Sequence, residues 1–286
     1  MKLPFKIDLS GKTVVITGAG GVLCSSFAEA LAQCGAKVAV LDLRLDAAEA
    51  VANKIVSDGG VAKAYACNVL DRESLTVAKN AIDAELGSCD ILINGAGGNN
   101  PKGTTTKEYL FPEDLDEETT KDITTFFDLD PKGIEFVFNL NFLGTLLPTQ
   151  VFARDMAKKE NPLILNVSSM NAFRPLTKIP AYSGAKAAVS NLTAWLAVHF
   201  SKVGIRCNAI APGFFVTNQN RALLMNPDGS LTPRSEKILA ATPMGRFGEA
   251  DELLGTLLWL CDAKASGFVN GVVIPIDGGF SAYSGV

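Results

Sequence analysis

The sequence contains a single histidine and six cysteines, and none of these residues is paired at a spacing typical of a metal site. With 26 Lys and Arg against 30 Asp and Glu, it has no excess of positive charge for nucleic acid or an anionic membrane. No uninterrupted apolar run approaches the ~20 residues of a membrane span, and the first residues lack the apolar core of a signal peptide. We therefore expect a cytoplasmic protein with reduced cysteines, no metal, no nucleic-acid partner and no membrane association.

The apolar content, in contrast, is ample for a well-buried core. Hydrophobic residues make up 48% of the 286 positions, and no Pro/Gly/Ser-rich linker divides the chain. Short β-branched runs alternate with helical patterns, which predicts an α/β fold with a doubly wound parallel sheet. We expect a single domain over residues 1–286. Two stretches break the alternation, and they predict a lid-like insertion at 98–131 and a second substrate flap at 214–245.

A serine, a tyrosine and a lysine form the first candidate site. The apolar run 163–167 predicts a buried strand that delivers Ser169 at its carboxyl end, where open α/β sheets place their chemistry. The following helical pattern puts Tyr182 and Lys186 four residues apart on one face. A tyrosine has an ordinary pKa near ~10, and a neighbouring ammonium that stabilises the phenolate lowers it. These side chains predict acid/base chemistry at Tyr182, with the Ser169 hydroxyl holding a carbonyl or alcohol oxygen.

A glycine turn near the start of the chain forms the second candidate site. It follows the β-branched run 12–17 and precedes a predicted helix over 22–33, an arrangement that receives a pyrophosphate on backbone N–H groups. The next strand closes on Asp42, which can bind the ribose hydroxyls of adenosine and would repel a 2′-phosphate, so NAD is favoured over NADP. Arg44 keeps NADP open, because it can pair with such a phosphate. The cofactor residues predicted here are Gly18, Gly20, Gly21, Val22, Leu23 and Asp42.

Two further features lie elsewhere in the chain. After the predicted strand at 205–210, Thr217 can bond a phosphate or the nicotinamide carboxamide, and Phe215 can line the nicotinamide ring. Asn141 lies in a helical pattern between apolar neighbours, so we expect it to be buried. A buried amide needs partners, so Asn141 either fixes a helix kink and a water or marks an error in the helix assignment.

Taken together, the motifs resemble the short-chain dehydrogenase/reductase family from about Leu9 to Gly279. The resemblance rests on Thr17-Gly18, Asn94-Gly95-Ala96-Gly97, Asn141, Ser169, Tyr182-x-x-x-Lys186 and Pro212-Gly213, which occur in the order and spacing of the family. A narrower resemblance is to its D-mannonate oxidoreductase (fructuronate reductase) branch. It is carried by Ser168 to Phe173, Pro212 to Phe215, Asn218 to Arg221 and Phe280 to Tyr283.

The family resemblance implies a Rossmann-type fold, a homotetramer paired through apolar helices, and a role for each motif residue. Tyr182 is the acid/base, Ser169 polarises the substrate oxygen, and Asn141 holds a water in a proton relay. Lys186 binds the nicotinamide ribose and lowers the pKa of Tyr182. Val22 and Cys24 depart from the pattern, because glycines are common at their positions, and Asn68 stands where aspartate is common. The further cofactor contacts implied are Tyr182, Asn68, Val69, Asn94, Ala96, Gly97, Pro212 and Gly213.

The narrower resemblance implies NAD-dependent interconversion of D-mannonate and D-fructuronate. A sugar acid carries a carboxylate, which a cation can bind, so Arg174 or Arg221 is expected to meet it, with Asn171 on the substrate side. Another polyol, a gluconate-type aldonate or a 3-oxoacyl substrate are the alternatives. A non-catalytic NAD-binding regulator is a rival of a different class, although such a protein would have no reason to keep the acid/base pair.

Overall fold

A computed structural model describes residues 7–116, 121–216 and 221–285, without the side chains of residues 222 and 223. Seven parallel strands form one sheet in the order β3-β2-β1-β4-β5-β6-β7. The strands are β1 Thr13–Thr17, β2 Lys37–Asp42, β3 Val61–Ala66, β4 Ile91–Asn94, β5 Leu163–Val167, β6 Arg206–Pro212 and β7 Val273–Ile276. The predicted doubly wound parallel sheet is confirmed.

Helices connect the strands and cover both faces of the sheet. In chain order they are α1 Val22–Gln33, α2 Leu45–Ser57, α3 Arg72–Glu85, α4 Pro131–Phe138, α5 Gly144–Met156, α6 Pro180–His199, α7 Arg221–Leu224, α8 Pro233–Ala240, α9 Leu254–Cys261 and α10 Ala263–Ser266. A π-helical turn, Asn139–Leu143, joins α4 to α5 without a break.

The core lies in two layers because side chains alternate across a strand. In β1, Val14 and Ile16 pack under α1 and α9, whereas Val15 packs on the opposite face with residues of α3, α5 and α6. All three are completely buried. Strands covered on both faces are continuously apolar, which is why the runs were recognisable in the sequence.

Helix α4, the π-helical turn and α5 form one long apolar helix, although no uninterrupted apolar run in the sequence predicted it. Among the described residues it is the one helix long and apolar enough to cross a membrane by length and composition, with a mean hydropathy of 1.3. It packs against α3 and α6 and buries Asn141, Thr145 and Thr149, all of which are hydrogen-bonded inside the protein. These contacts fix one face of the helix in the core.

The two irregular stretches lie near the same end of the molecule. The insertion contains three short 3-10 helices, and its Thr105 N–H donates to Lys178 O in the loop before α6. In the second stretch, α8 is tied to the insertion by Lys237, whose Nζ lies 3.1 Å from each carboxylate oxygen of Glu108. Residues 217–220 lie outside the described part of the chain.

Candidate active site

A cavity of about 600 Å³ opens at the carboxyl ends of β1, β2 and β4. This edge is where open α/β sheets bind their ligands. The predicted cofactor residues that line it are Gly18, Gly20, Gly21, Val22, Leu23, Asp42, Asn68, Val69, Ala96 and Gly97. It is also lined by Gly95, which belongs to the predicted stretch Asn94 to Gly97, and by Cys24 and Arg44, which were left as alternatives. The lining residues that were not predicted are Leu43, Cys67 and Leu140.

The glycine turn brings backbone close to the cavity. Gly18 has a φ of +65°, and a Cβ there would lie 2.8 Å from Ala96 Cα, so a side chain is excluded by both conformation and space. A Cβ at Gly20 would lie 2.7 Å from Ala47 Cβ. Helix α1 starts behind the turn, and its N-cap Gly21 supplies no side chain to its first N–H groups. The turn therefore fits the pyrophosphate of a dinucleotide.

Asp42 is fixed at the edge of this cavity by two backbone hydrogen bonds. Gly20 N–H donates to its Oδ2 and Arg44 N–H donates to its Oδ1, each at 3.0 Å. Asp42 ends β2, so its carboxylate lies beside the glycine turn that follows β1. A carboxylate held there suits the two hydroxyls of an adenosine ribose, and the exposed Arg44 lies next to it.

Cys24 explains one departure from the family pattern. Its sulfur occupies the space that a Cβ at Gly95 would need, so a glycine after β4 accommodates the larger residue on α1. The Thr17 hydroxyl accepts hydrogen bonds from Gly95 N–H and Ala96 N–H at 3.1 and 3.2 Å, which fixes the same loop. Burial raises the pKa of the Cys24 thiol to about 12, so it stays protonated and acts as a small apolar group.

Tyr182 and Lys186 share one face of α6, as predicted. Lys186 is buried, its Nζ donates to Val167 O at 2.8 Å, and it lies 5.7 Å from the centroid of the Tyr182 ring. Burial lowers the pKa of Lys186 to about 8. This is because a low-dielectric surrounding disfavours the charged form.

The pKa of Tyr182 is raised in the folded chain, whereas the sequence predicted that it would be lowered. Burial raises the pKa of Tyr182, and the hydrogen bond with Ser169 lowers it only in part. The sequence shows which cation lies nearby, but it does not show how far the phenol is removed from water. Tyr182 is therefore held in its protonated form, ready to donate.

Ser169 lies two residues beyond the end of β5 and keeps an extended backbone. Its φ is -161° and its ψ is 154°, and Asn171 N–H donates to its Oγ at 3.2 Å. The preceding Ser168 points into α6 instead, where its Oγ donates to Lys186 O at 3.1 Å and lies 2.7 Å from Ser190 Oγ. Of the two adjacent serines, Ser169 is the one beside the phenol.

Asn141 lies in the π-helical turn and is completely buried, so the expectation of a buried amide at a helix irregularity is confirmed. Its Nδ2 donates to Gly98 O at 2.8 Å and to Val137 O at 2.7 Å. Gly98 N–H donates back to its Oδ1 at 3.3 Å. A widened helical turn of this kind is common at functional sites. Here it joins Asn141 to the loop after β4.

Gly97 is the point at which Asn141 and Lys186 meet. A Cβ there would lie 2.7 Å from Asn141 Oδ1 and 3.2 Å from Lys186 Nζ. We expect Gly97→Ala to displace both groups and to lower kcat by about 10²-fold, the scale of a misplacement near 1 Å. Steady-state kinetics would measure it. Gly255→Ala is the matched control, since a Cβ at Gly255 meets nothing within 4 Å, and equal kinetics in both variants would contradict the expectation.

Two predicted cofactor residues have other contacts. Asn94 is buried beneath the cavity, where its Nδ2 donates to Thr149 Oγ1 at 3.0 Å and Asn166 Oδ1 at 2.9 Å. Phe215 is buried in the core against Gly248. Position at a strand end does not tell which way a side chain turns, so the sequence did not indicate these contacts. Thr217 lies outside the described residues.

The remaining predicted residues have contacts of their own. Pro212 ends β6, and Gly213 N–H donates to Ile276 O at 2.9 Å, while a Cβ on Gly213 would lie 2.6 Å from Asp277 Cα. Asn171 is buried next to Ser169. Arg174 is exposed and its Nε donates to Ser281 O at 3.0 Å, and Arg221 is exposed at the start of α7. Neither arginine lines the cavity.

Comparison with known proteins gives one consistent family. A sequence model described as short chain dehydrogenase matches residues 12–227. An uncharacterised oxidoreductase of Haemophilus influenzae is 63% identical over 286 residues, which cover 100% of this chain and 99% of the relative.

Two solved structures extend the comparison to the fold. One, from Haemophilus influenza, is proposed to be a D-mannonate oxidoreductase and has bound NAD. It is 62% identical with a TM-score of 0.93 and covers 100% of both chains. The other is a gluconate 5-dehydrogenase from Burkholderia cenocepacia in complex with NADP and tartrate. It is 27% identical with a TM-score of 0.80 over 98% of this chain and 99% of that chain.

Proposed function

Because the chain belongs to the short-chain dehydrogenase family and is an NAD(P)-dependent oxidoreductase of alcohol and ketone groups, we propose that it interconverts D-mannonate and D-fructuronate with NAD. The observation that carries the proposal is the meeting of Ser169, Tyr182 and Lys186 near a cavity lined by the glycine turn and Asp42. The substrate is supported by the branch motifs of the sequence and by the activity proposed for the similar Haemophilus structure.

The proposed chemistry follows from what each side chain can hold. The bound nicotinamide supplies or accepts the hydride. Ser169 Oγ holds the substrate oxygen against the phenol, and Tyr182, kept protonated by burial, gives its proton to that oxygen during reduction. Lys186 stabilises the phenolate that remains, since its ammonium lies on the same buried face of α6. Asn141 keeps the loop after β4 in place.

NAD is the proposed cofactor, with NADP as the alternative. The glycine turn, the start of α1 and Asp42 would hold the pyrophosphate and adenosine ribose, and Asn68 and Val69 the adenine. The similar Haemophilus structure contains NAD, whereas the gluconate 5-dehydrogenase contains NADP. The choice therefore depends on Asp42 and Arg44.

A substrate carboxylate would be bound by Arg174 or Arg221. Arg174 has the stronger support, because its Nε is anchored on Ser281 O and it belongs to the loop that carries Ser169 and Asn171. Arg174→Ala is expected to raise the KM for mannonate by about 10-fold to 150-fold, the range of a lost charge-assisted hydrogen bond. An unchanged KM in both Arg174→Ala and Arg221→Ala would reject this role.

We propose a cytoplasmic homotetramer. The six cysteines are free thiols, which suits a reducing compartment. The 26-residue helix has only 44% of its most apolar window buried, and the exposed side of α6 carries Trp195 and Val198. Apolar faces of this kind are typical of contacts between copies. A monomer by light scattering would contradict this assembly.

The free energy of unfolding should rise with pH in the range where Lys186 is already neutral in the folded chain but still charged in the unfolded chain. The pKa of Lys186 is lowered from 10.5 to about 8 in the folded chain, so between these values the unfolded chain binds more protons and stability increases with pH. From pH 8 to pH 10 the gain is about 2–3 kcal/mol. Above pH 10 the raised pKa of Tyr182 has the opposite effect, because the folded chain then retains its proton longer.

Urea unfolding of wild type and Lys186→Met across pH 8–10 measures this gain. Lys186→Met lacks the titrating group, so its stability advantage over wild type should shrink as the pH rises. Lys37→Met is the control, because Lys37 also donates to a backbone carbonyl, Leu86 O, but from an exposed position. A constant difference between wild type and Lys186→Met would contradict the expectation.

The proposed reaction is tested by absorbance in the reduced-nicotinamide band with D-mannonate and NAD, and separately with NADP. Turnover with NAD supports the assignment. Turnover only with another polyol, a gluconate-type aldonate or a 3-oxoacyl ketone would keep the family activity and reject mannonate.

A further inference from the structure

A line of completely buried polar side chains runs under the cavity from one helix to another. It begins at the backbone carbonyl of Asn141, which accepts from Thr145 Oγ1 at 2.9 Å, and Thr149 Oγ1 donates to Thr145 O at 2.8 Å. We call its members the buried polar chain: Thr145, Thr149, Asn94, Asn166 and Thr193, each at most 2% exposed.

Two strands carry this chain across the sheet. Asn94 on β4 donates from Nδ2 to Thr149 Oγ1 and to Asn166 Oδ1, its neighbour in register on β5. Asn166 Nδ2 donates to Thr193 Oγ1 at 2.9 Å. Thr193 Oγ1 in turn donates to Val189 O at 2.8 Å, one turn after Lys186 in α6. The buried polar chain therefore joins the helix of Asn141 to the helix of Tyr182 and Lys186.

Stability alone does not explain these residues. Asn94 Oδ1 is buried without a hydrogen-bond partner in the described part of the chain, and an unsatisfied buried acceptor destabilises the folded state. Apolar side chains at these positions would avoid that loss but would allow the helices to slide against the sheet. Hydrogen bonds in a buried network are satisfied in one arrangement only, so they specify the relative position of the elements they join.

We propose that the buried polar chain is a positioning device for catalysis, which sets Asn141 against Lys186. The two groups meet around Gly97, where a Cβ would touch both, so a small shift of either helix changes their separation. None of the residues of the buried polar chain lines the cavity, and they act through Asn141 and Lys186. The inference rests on the proposed catalytic roles of those two residues.

The test removes one hydroxyl at a time without changing side-chain shape. Thr149→Val and Thr193→Val each break the chain at one helix, and Thr13→Val is the matched control. The Thr13 hydroxyl is equally buried and donates to Leu86 O at 3.0 Å, away from the site. All variants are assayed on whichever alcohol or ketone the wild type turns over, so a failed mannonate assignment does not affect the comparison.

The expected result is a loss in kcat of about tenfold for Thr149→Val and Thr193→Val, with the KM for NAD near wild type. The pH dependence of kcat should shift, because the surroundings of Lys186 change. The melting temperature should fall no more than in Thr13→Val, whose kcat should stay near wild type. Thr149→Ser, which keeps the hydroxyl, should restore kcat, and it provides the comparison if Thr149→Val folds poorly.

A double variant shows whether the effect passes through Asn141. In an Asn141→Ala background, Thr149→Val should lower kcat no further, because the group that it positions is already absent. An equal further loss in that background would overturn the proposal. So would kcat losses in the valine variants no larger than in Thr13→Val, or full kcat in Asn141→Ala. In each of those cases turnover lost in Tyr182→Phe would leave the proposed function standing.

Discussion

Replacing Tyr182 with phenylalanine is expected to lower kcat by about 10²-fold to 10⁴-fold, the contribution of general acid/base catalysis. The phenol is the group that burial keeps protonated and that Ser169 bonds, so its loss removes the proton without removing the ring. The affinity for NAD should stay near the wild-type value, because the glycine turn and Asp42 are untouched. Steady-state kinetics and a cofactor-binding titration measure the two effects separately.

Tyr65→Phe is the control for that experiment. The Tyr65 phenol also donates a hydrogen bond, to Glu85 Oε2 at 2.7 Å, but it lies on β3, away from Ser169 and Lys186. Its loss should leave kcat near wild type. Turnover retained in Tyr182→Phe would instead mean that a different residue acts as the acid/base. Absence of turnover in the wild type with mannonate and with each of the alternative substrates, while NAD still binds, would favour the non-catalytic NAD-binding regulator.

The strands could be predicted because burial on both faces leaves a simple pattern. Strand β5 has the predicted bounds, Leu163–Val167, since its apolar run lies between a proline and a serine. Helix α1 also has its predicted bounds. Helix α6 begins at Pro180, before the periodic apolar residues, because proline is favoured at the first position of a helix. This proline is visible in the sequence as a helix start, and it places Tyr182 in the first turn of α6.

The sequence indicated which residues form the site, but it did not indicate the surroundings of each side chain. Motif spacing indicated Ser169, Tyr182 and Lys186, and the structure brings them together. Spacing did not indicate the direction of the Tyr182 pKa shift, which depends on desolvation by segments distant in the sequence. For the same reason the sequence did not reveal that Asn94 turns into the core, where its partners come from α5 and β5.

Asp42→Ala is expected to raise the KM for NAD by about 10-fold to 150-fold, since it removes charge-assisted hydrogen bonds worth about 1.5–3 kcal/mol. The same change should improve kcat/KM with NADP, because a 2′-phosphate would no longer meet a carboxylate held by Gly20 N–H and Arg44 N–H. Kinetics with both cofactors measure the ratio. Asp46→Ala is the control, since it removes an equal charge from an exposed position in the first turn of α2.

Arg44 determines how strongly Asp42→Ala changes the ratio of kcat/KM with NADP to kcat/KM with NAD. It lines the cavity next to Asp42, so with the carboxylate removed its guanidinium becomes the main charge near the 2′ position. Adding Arg44→Ala to Asp42→Ala should therefore abolish the gain with NADP while leaving the loss with NAD. If Asp42→Ala leaves the ratio of the two cofactors unchanged, Asp42 does not bind the ribose. If Arg44→Ala alone weakens NADP in the wild type, the arginine already binds a 2′-phosphate despite the carboxylate, and the chain is built to accept both cofactors.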